Sequence, residues 1–177
     1  MGQKSYLINT LGLYALSAIL GTALSVQLIA GEMPCPLCLL QRMAFIGVGI
    51  GLTLNLTNGL KTSNYGIIVV SALLGMAMST RQVLLHIVPP DLGYGEPLLG
   101  MHLYTWGLIA FFLITLISGV LLFLDSQFMA KTTKDKFGDY AVKLFGLVIA
   151  TIMVLAFLES GFAECPDNPV KYLMLNP

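Results

Sequence analysis

Five stretches of this chain, residues 7–30, 37–56, 65–88, 102–124 and 142–158, consist almost entirely of apolar side chains. A bilayer core about 30 Å thick is crossed by about 20 helical residues, and each stretch comes close to that length. In lipid the backbone has to satisfy its own hydrogen bonds, so the stretches are expected to be helices and not open strands. The expected fold is all-α: an integral membrane helix bundle of four core helices plus a fifth, C-terminal transmembrane helix, in one membrane domain over residues 1–177. Composition supports this. Apolar residues make up 56% of the chain and charged residues 10%, whereas a soluble domain carries roughly 25% charged residues. The zero net charge points to no nucleic-acid partner. The first stretch is longer than a signal-peptide core of about 7–15 residues, and is expected to be a retained signal anchor.

The charges between the stretches set an expected orientation. Lys4, Lys61, Lys131, Lys134, Lys136 and Lys143 fall at the N-terminus and in the second and fourth connections. The opposite side holds Glu32, Asp91, Glu96, Glu164 and Asp167, with Lys171 as its one lysine. The excess of lysine marks the cytoplasmic side. The N-terminus is therefore expected in the cytoplasm, and the connections at 31–36 and 89–101 and the C-terminal tail are expected outside.

All three cysteines, Cys35, Cys38 and Cys165, then lie on the outer side, where disulfide chemistry is sustained. The segment Met33-Pro34-Cys35-Pro36-Leu37-Cys38 is the most informative in the chain. Pro36 has no amide hydrogen and suits the first turn of a helix, so the second helix is expected to start near Pro36 or Leu37. Cys38 then sits in its first turn, where the positive end of the helix dipole favours a thiolate. Arg42 follows one turn deeper on the same face and adds a full positive charge. Cysteines three apart around a tight turn can reach the Cα separation of about 4.4–6.8 Å that a disulfide needs.

The motif has blander readings. An inert disulfide is one. Half of a structural zinc site is another, but four Cys or His ligands are usual, and Cys165, His86 and His102 show no metal-ligand spacing. No metal site is expected. Arg42 could be a charge snorkelling from a helix end, although it lies deep in an apolar run beside the cysteines. Gly47 and Gly51 form a small-xxx-small pair suited to close helix packing, and Tyr104 and Trp106 read as interfacial belt residues.

The run Pro34-Cys35-Pro36-Leu37-Cys38-Leu39-Leu40-Gln41-Arg42 resembles the disulfide-bond-formation protein B family, quinone-reducing thiol oxidases of bacterial inner membranes. The resemblance extends to Arg81 through His86 at the outer end of the third stretch. It implies a relay in which ubiquinone or menaquinone, drawn from the membrane quinone pool, oxidises the Cys35/Cys38 pair. Cys38 would be the sulfur at the quinone and Cys35 the one open to outside thiols. Arg42, Arg81 and His86 would bind the cofactor. A second cysteine pair would carry oxidation to a periplasmic thioredoxin-like disulfide oxidase.

Two features depart from the family pattern. The connection at 89–101 has no cysteine, and a fifth helix leads instead to a tail containing Cys165. This looks like a branch that shuttles through a C-terminal pair, with Ser160 standing where a cysteine is expected. Cys165 is then the third catalytic cysteine.

His86 could supply a hydrogen bond or a proton to a quinone, since its side chain titrates near neutrality; it could also be an interface histidine, the reading preferred for His102. Arg81 is an intramembrane charge, a costly and usually functional feature, or else pairs with Glu32 or Glu96. Other functions fit less well. A vitamin-K-epoxide-reductase-like thiol oxidoreductase shares the chemistry but carries its CxxC at a late helix. A b-type cytochrome would need His86 and His102 to face one another, and a membrane scaffold would leave the cysteine–arginine constellation without a role.

Overall fold

The computed structural model describes residues 2–88, 93–124, 128, 135–161, 172 and 174. Its helices are α1 (Gly2–Ser25), continued by one turn of π-helix (Val26–Ala30), α2 (Pro36–Asn58), α3 (Thr62–Leu85), α4 (Leu103–Leu122) and α5 (Lys136–Ser160). All five are long and apolar enough to cross a membrane. Among the described residues the one extended pairing is an isolated bridge between Leu98 and Met101. The chain is thus an all-α bundle of multi-pass membrane type.

Helix ends follow local chemistry: α1, α2 and α5 begin ahead of their apolar stretches, whereas α3 stops at Leu85 and α4 spans Leu103–Leu122, inside the 102–124 stretch. α2 starts at Pro36, and Gly59 stops it at a positive φ of 88°. α5 starts at Lys136, ahead of its apolar run, because Asp135 caps it by accepting the Gly138 N–H at 2.8 Å. α1 starts at Gly2, and its first turns are packed: Tyr6 is buried, with its hydroxyl where a Cβ on Gly138 of α5 would fall.

Consecutive helices run antiparallel, and α2 lies at the centre against α1, α3 and α5, while α4 packs on α3. Lipid offers little hydrophobic drive for helices to associate, so close packing and interhelical hydrogen bonds have to do it. Gly47 and Gly51 both face α3, the first against Ser71 and the second against Ile68 and the Asn64 carbonyl. Gly49 faces the other way and receives the ring of Phe145 from α5, and Gly75 of α3 receives Phe111 of α4. Phe111 also stacks on Phe45 of α2, with ring centroids 4.0 Å apart.

At the end of the bundle away from the cysteines, buried amides tie α1, α2 and α3. Asn55 Nδ2 donates to Asn9 Oδ1 at 2.8 Å, and Asn55 Oδ1 accepts from Asn64 Nδ2 at 3.0 Å. Asn9 Nδ2 in turn donates to the Tyr65 hydroxyl at 2.8 Å. The outer faces carry exposed apolar side chains, Leu113, Leu116, Ile117 and Val120 of α4 among them, as a lipid-facing surface requires.

Gly49 offers a test of how α5 is held. Gly49→Leu places a side chain where the Phe145 ring sits, and overpacking of this kind costs about 1–3 kcal/mol. Its thermal midpoint in detergent should fall clearly below that of wild type. Gly66→Ala, at a position with nothing within 4 Å of a new Cβ, should not lower it. Equal midpoints for Gly49→Leu and wild type would mean that α5 does not dock through this contact.

Candidate functional site

The end of α1, the starts of α2 and α4, and the ends of α3 and α5 meet at one end of the bundle. α2 begins there with an extended Cys35 whose Sγ accepts the Cys38 N–H at 3.2 Å, so one cysteine caps the helix that carries the other. Both are free thiols. Cys35 is 7% exposed, whereas Cys38 is half-buried and lines a cavity. The hydrogen bond with Cys38, and then burial, push the Cys35 thiol above its ordinary range.

Three buried glutamines surround the pair. Gln82 of α3 is 1% exposed, with its Nε2 3.4 Å from Cys35 Sγ and 3.5 Å from Cys38 Sγ. Gln41 Nε2 donates to Gln82 Oε1 at 2.6 Å. Gln27, in the π turn, is buried while Leu28 and Ile29 after it are exposed, and its Oε1 accepts from Arg42 Nη1 at 2.6 Å. Arg42 Nη2 donates to the Ala23 carbonyl at 3.2 Å. Cys38, Glu159 and Tyr172 are the main charged or ionisable groups acting on the guanidinium, which places the end of α5 beside the site.

Cys38, Gln41 and Arg42 lie in the wall of a cavity of about 400 Å³, lined also by α1 from Ile19, by Val26 of the π turn, by the connections at 32–34 and 94–98, and by α4 from Leu103 to Leu113. Most of this lining is apolar. The connection between α3 and α4 closes over it: the Tyr94 hydroxyl donates to the Met33 carbonyl at 2.7 Å, and the Glu32 carboxylate accepts the Glu96 N–H at 3.2 Å. Burial pushes the Tyr94 phenol up to about 12, with Cys35, Cys38 and Glu159 adding to the effect, so it remains a neutral donor.

The residues expected from sequence separate into groups. Cys35, Cys38 and Arg42 come together. His86 ends α3 and reaches the cavity through Tyr104, its ring 5.7 Å from that of Tyr104. Arg81 is exposed and lies in a shallow groove along α3 with Leu73, Met76 and Leu84, outside the cavity lining. Cys165 lies outside the described residues. Cys35, expected to be the sulfur open to outside thiols, is the more buried of the two, because it turns into the helix start as a cap.

Tyr104 and Trp106, read as belt residues, both line the cavity, and Trp106 Nε1 donates to the Leu98 carbonyl at 2.9 Å. Gln27, Gln41, Gln82 and Tyr94 were not singled out from the sequence. The available signal was a glutamine near the cysteine end of each of the first three apolar stretches, since polar groups within a membrane segment tend to be functional.

Residues 5–96 match the family model of Disulfide bond formation protein DsbB. That is just over half of the chain and includes Cys35, Cys38, Arg42, Arg81 and His86; the chain belongs to this family. It is similar to Disulfide bond formation protein B of Cupriavidus necator, at 29% identity over 129 residues, 55% of this chain and 80% of that one. The proteins of the same name from Xanthomonas axonopodis pv. citri and Pseudomonas syringae pv. tomato are 35% and 38% identical over 95 and 93 residues. Those alignments cover 50% of this chain and 55% and 53% of the relatives, so the chain spans about half the length of these two. No solved structure matches it.

The unequal burial of the sulfurs has a direct readout. N-Ethylmaleimide added to the folded, reduced protein should label Cys38 before Cys35, as peptide mass spectrometry would resolve. Labelling of Cys35 first would mean that the helix-capping thiol is not the protected one.

Proposed function

We propose that this protein is a quinone-dependent protein-disulfide oxidoreductase of the bacterial inner membrane. In this reading it forms disulfides by passing electrons from a periplasmic thioredoxin-like oxidase through Cys35 and Cys38 to ubiquinone or menaquinone. One observation carries the reading: Cys38 and Arg42 share the wall of an apolar cavity between α1 and α4. Its volume of about 400 Å³ falls within the roughly 300–1,000 Å³ of small-molecule and cofactor sites. The lysine distribution supports an N-terminus in the cytoplasm and a periplasmic C-terminus.

The residues present suit a quinone head. Arg42 carries five N–H donors, and its bonds to Gln27 and Ala23 hold the guanidinium in the wall. Cys38 and Gln41 stand beside it, with Tyr104 and Trp106 also in the lining. His86 would act through Tyr104, and Arg81 from the lipid-facing side of α3. A bound quinone would supply an acceptor for two electrons and two protons.

The chain's own part is thiol–disulfide exchange. A partner thiolate attacks Cys35 Sγ of the Cys35–Cys38 disulfide. The S–S bond breaks, and its electron pair leaves on Cys38, where the start of α2 and Arg42 favour an anion. The partner's second thiol then attacks the mixed disulfide and forms the partner's own disulfide. Its proton passes to Cys35, leaving two electrons on the Cys35/Cys38 pair.

The expected second pair is proposed at the end of α5. Ser160 Oγ is buried and has no hydrogen-bond partner among the described residues. An unsatisfied buried hydroxyl costs about 1–3 kcal/mol, and a thiol, a weaker donor, fits there at lower cost.

Purified protein supplied with quinone and a reduced thioredoxin-like partner tests the main reading. Cys38→Ser should abolish quinone reduction. Arg42→Ala should raise the quinone KM about tenfold, the loss of one charge-assisted hydrogen bond of ~1.5 kcal/mol. Arg42→Lys should recover part of this, keeping charge without the planar fork. Wild-type turnover in Cys38→Ser would end the proposal.

The tail makes a separate prediction. With Ser160 in place, a mixed disulfide between Cys165 and Cys35 or the partner lacks a neighbouring resolving thiol, and should accumulate on non-reducing gels. Ser160→Cys should dissolve that adduct and speed turnover. If neither changes, the tail is not the shuttle.

A further inference from the structure

The two reacting sulfurs share a partner that the relay above does not use. Gln82 places one amide nitrogen within 3.5 Å of both, 3.4 Å from Cys35 Sγ and 3.5 Å from Cys38 Sγ. An amide NH2 has two hydrogens, so that nitrogen can donate to each sulfur at once. Its orientation is set from behind. Gln41 Nε2 donates to Gln82 Oε1 at 2.6 Å, which turns the nitrogen side toward the cysteines. Gln41 is itself wedged against α4: a Cβ on Gly107 would come within 3.1 Å of Gln41 Oε1. Side chains on α2 and α3 and the bare backbone of α4 therefore fix one amide, and Gln82 has 1% of its surface exposed.

We propose that Gln82 is a catalytic residue of the thiol–disulfide step, donating to both sulfurs and thereby favouring the reduced pair over the disulfide. The assignment rests on the redox reading of Cys35 and Cys38 given above. A hydrogen bond to an ionised acceptor is roughly twice as strong as one between neutral groups. The Gln82 amide therefore gains most when the pair is reduced and one sulfur is an anion, and less when both sulfurs are in a disulfide. Stabilising the reduced form makes a dithiol pair a stronger oxidant. Gln82 would thus help draw electrons from the partner onto Cys35 and Cys38.

The test is the redox equilibrium of the pair in the full-length, detergent-solubilised protein, with no quinone and no partner protein. The Cys35–Cys38 disulfide and two glutathione thiols exchange with the Cys35/Cys38 dithiol and glutathione disulfide, which balances two electrons and two protons. Samples poised at a series of glutathione ratios are acid-quenched, alkylated and read by peptide mass spectrometry, which separates Cys165 from the pair. Gln82→Leu should shift the equilibrium about tenfold toward the disulfide, which corresponds to ~30 mV for a two-electron couple. Gln82→Met keeps the length of the side chain without an N–H and should do the same. Its result decides if the leucine variant fails to accumulate in membranes. Gln41→Leu releases the grip on the Gln82 carbonyl and should shift the equilibrium in the same direction by less. An equilibrium unchanged from wild type in a folded Gln82 variant overturns the assignment. Because neither quinone nor partner is present, a wild-type protein that fails to reduce quinone would sink the functional reading and leave this result standing.

Discussion

A guanidinium nearly two turns below the start of a membrane helix is costly; on insertion scales a charge at mid-membrane costs about 2.5–3.5 kcal/mol. Much of the cysteine end of the bundle is arranged to hold it. The π turn after Ser25 brings Gln27 inward to accept from Arg42, while Leu28 and Ile29 on the same turn face out. π turns are rare and cluster at functional sites, and here the widened turn has an identifiable task. It also leaves the Ala23 carbonyl accepting the second guanidinium nitrogen. With its two terminal nitrogens engaged, Arg42 holds one position in the cavity wall. The cavity keeps its polar wall on α2 because that guanidinium cannot swing away to the interface.

The two sulfurs differ for related reasons. Cys35 turns back into the helix start, where it takes the Cys38 N–H that would otherwise lack an intrahelical acceptor. That geometry leaves it buried. Cys38, in the first turn of the helix, faces the cavity with Arg42. A buried thiol that caps the helix beside one that faces a cationic wall is an asymmetric pair, which suits an exchange that enters at one sulfur and leaves at the other. The asymmetry follows from Pro36, which fixes where the helix begins, and from a spacing that puts Cys38 inside the first turn.

Most of the fold was legible in the sequence, and about half of the site. Helix number, and the start of α2 at Pro36, follow from apolar run length and from proline chemistry, both local properties. The polar turns that open α1 and α5 were missed, because hydropathy does not register a helix carried past the lipid by a cap such as Asp135 or by a packed Tyr6. Cys35, Cys38 and Arg42 could be grouped because they lie within eight residues of one another. Gln82, 44 residues after Cys38, meets the sulfurs only through the antiparallel packing of α2 on α3, which no spacing rule reveals. Arg81, its neighbour in sequence, was singled out for its charge. One residue of offset on a helix turns a side chain by about 100°, enough to put Gln82 against the cysteines and Arg81 on the outer face.

The fifth helix is where this chain says most beyond its family match, which ends at residue 96. α5 is joined to the centre of the bundle through Phe145 in the notch at Gly49, and this docking brings its C-terminal turn to the cysteine end. Glu159 on that turn is fully buried and acts electrostatically on both Arg42 and Tyr94. Its side chain does not line the cavity itself. The residue that follows, Ser160, starts the path from the docked helix to Cys165. A helix added only to cross the membrane again would not need a buried acidic side chain at its cysteine end. Its placement sets a buried acidic side chain near Arg42, at the end of the bundle where α2 begins.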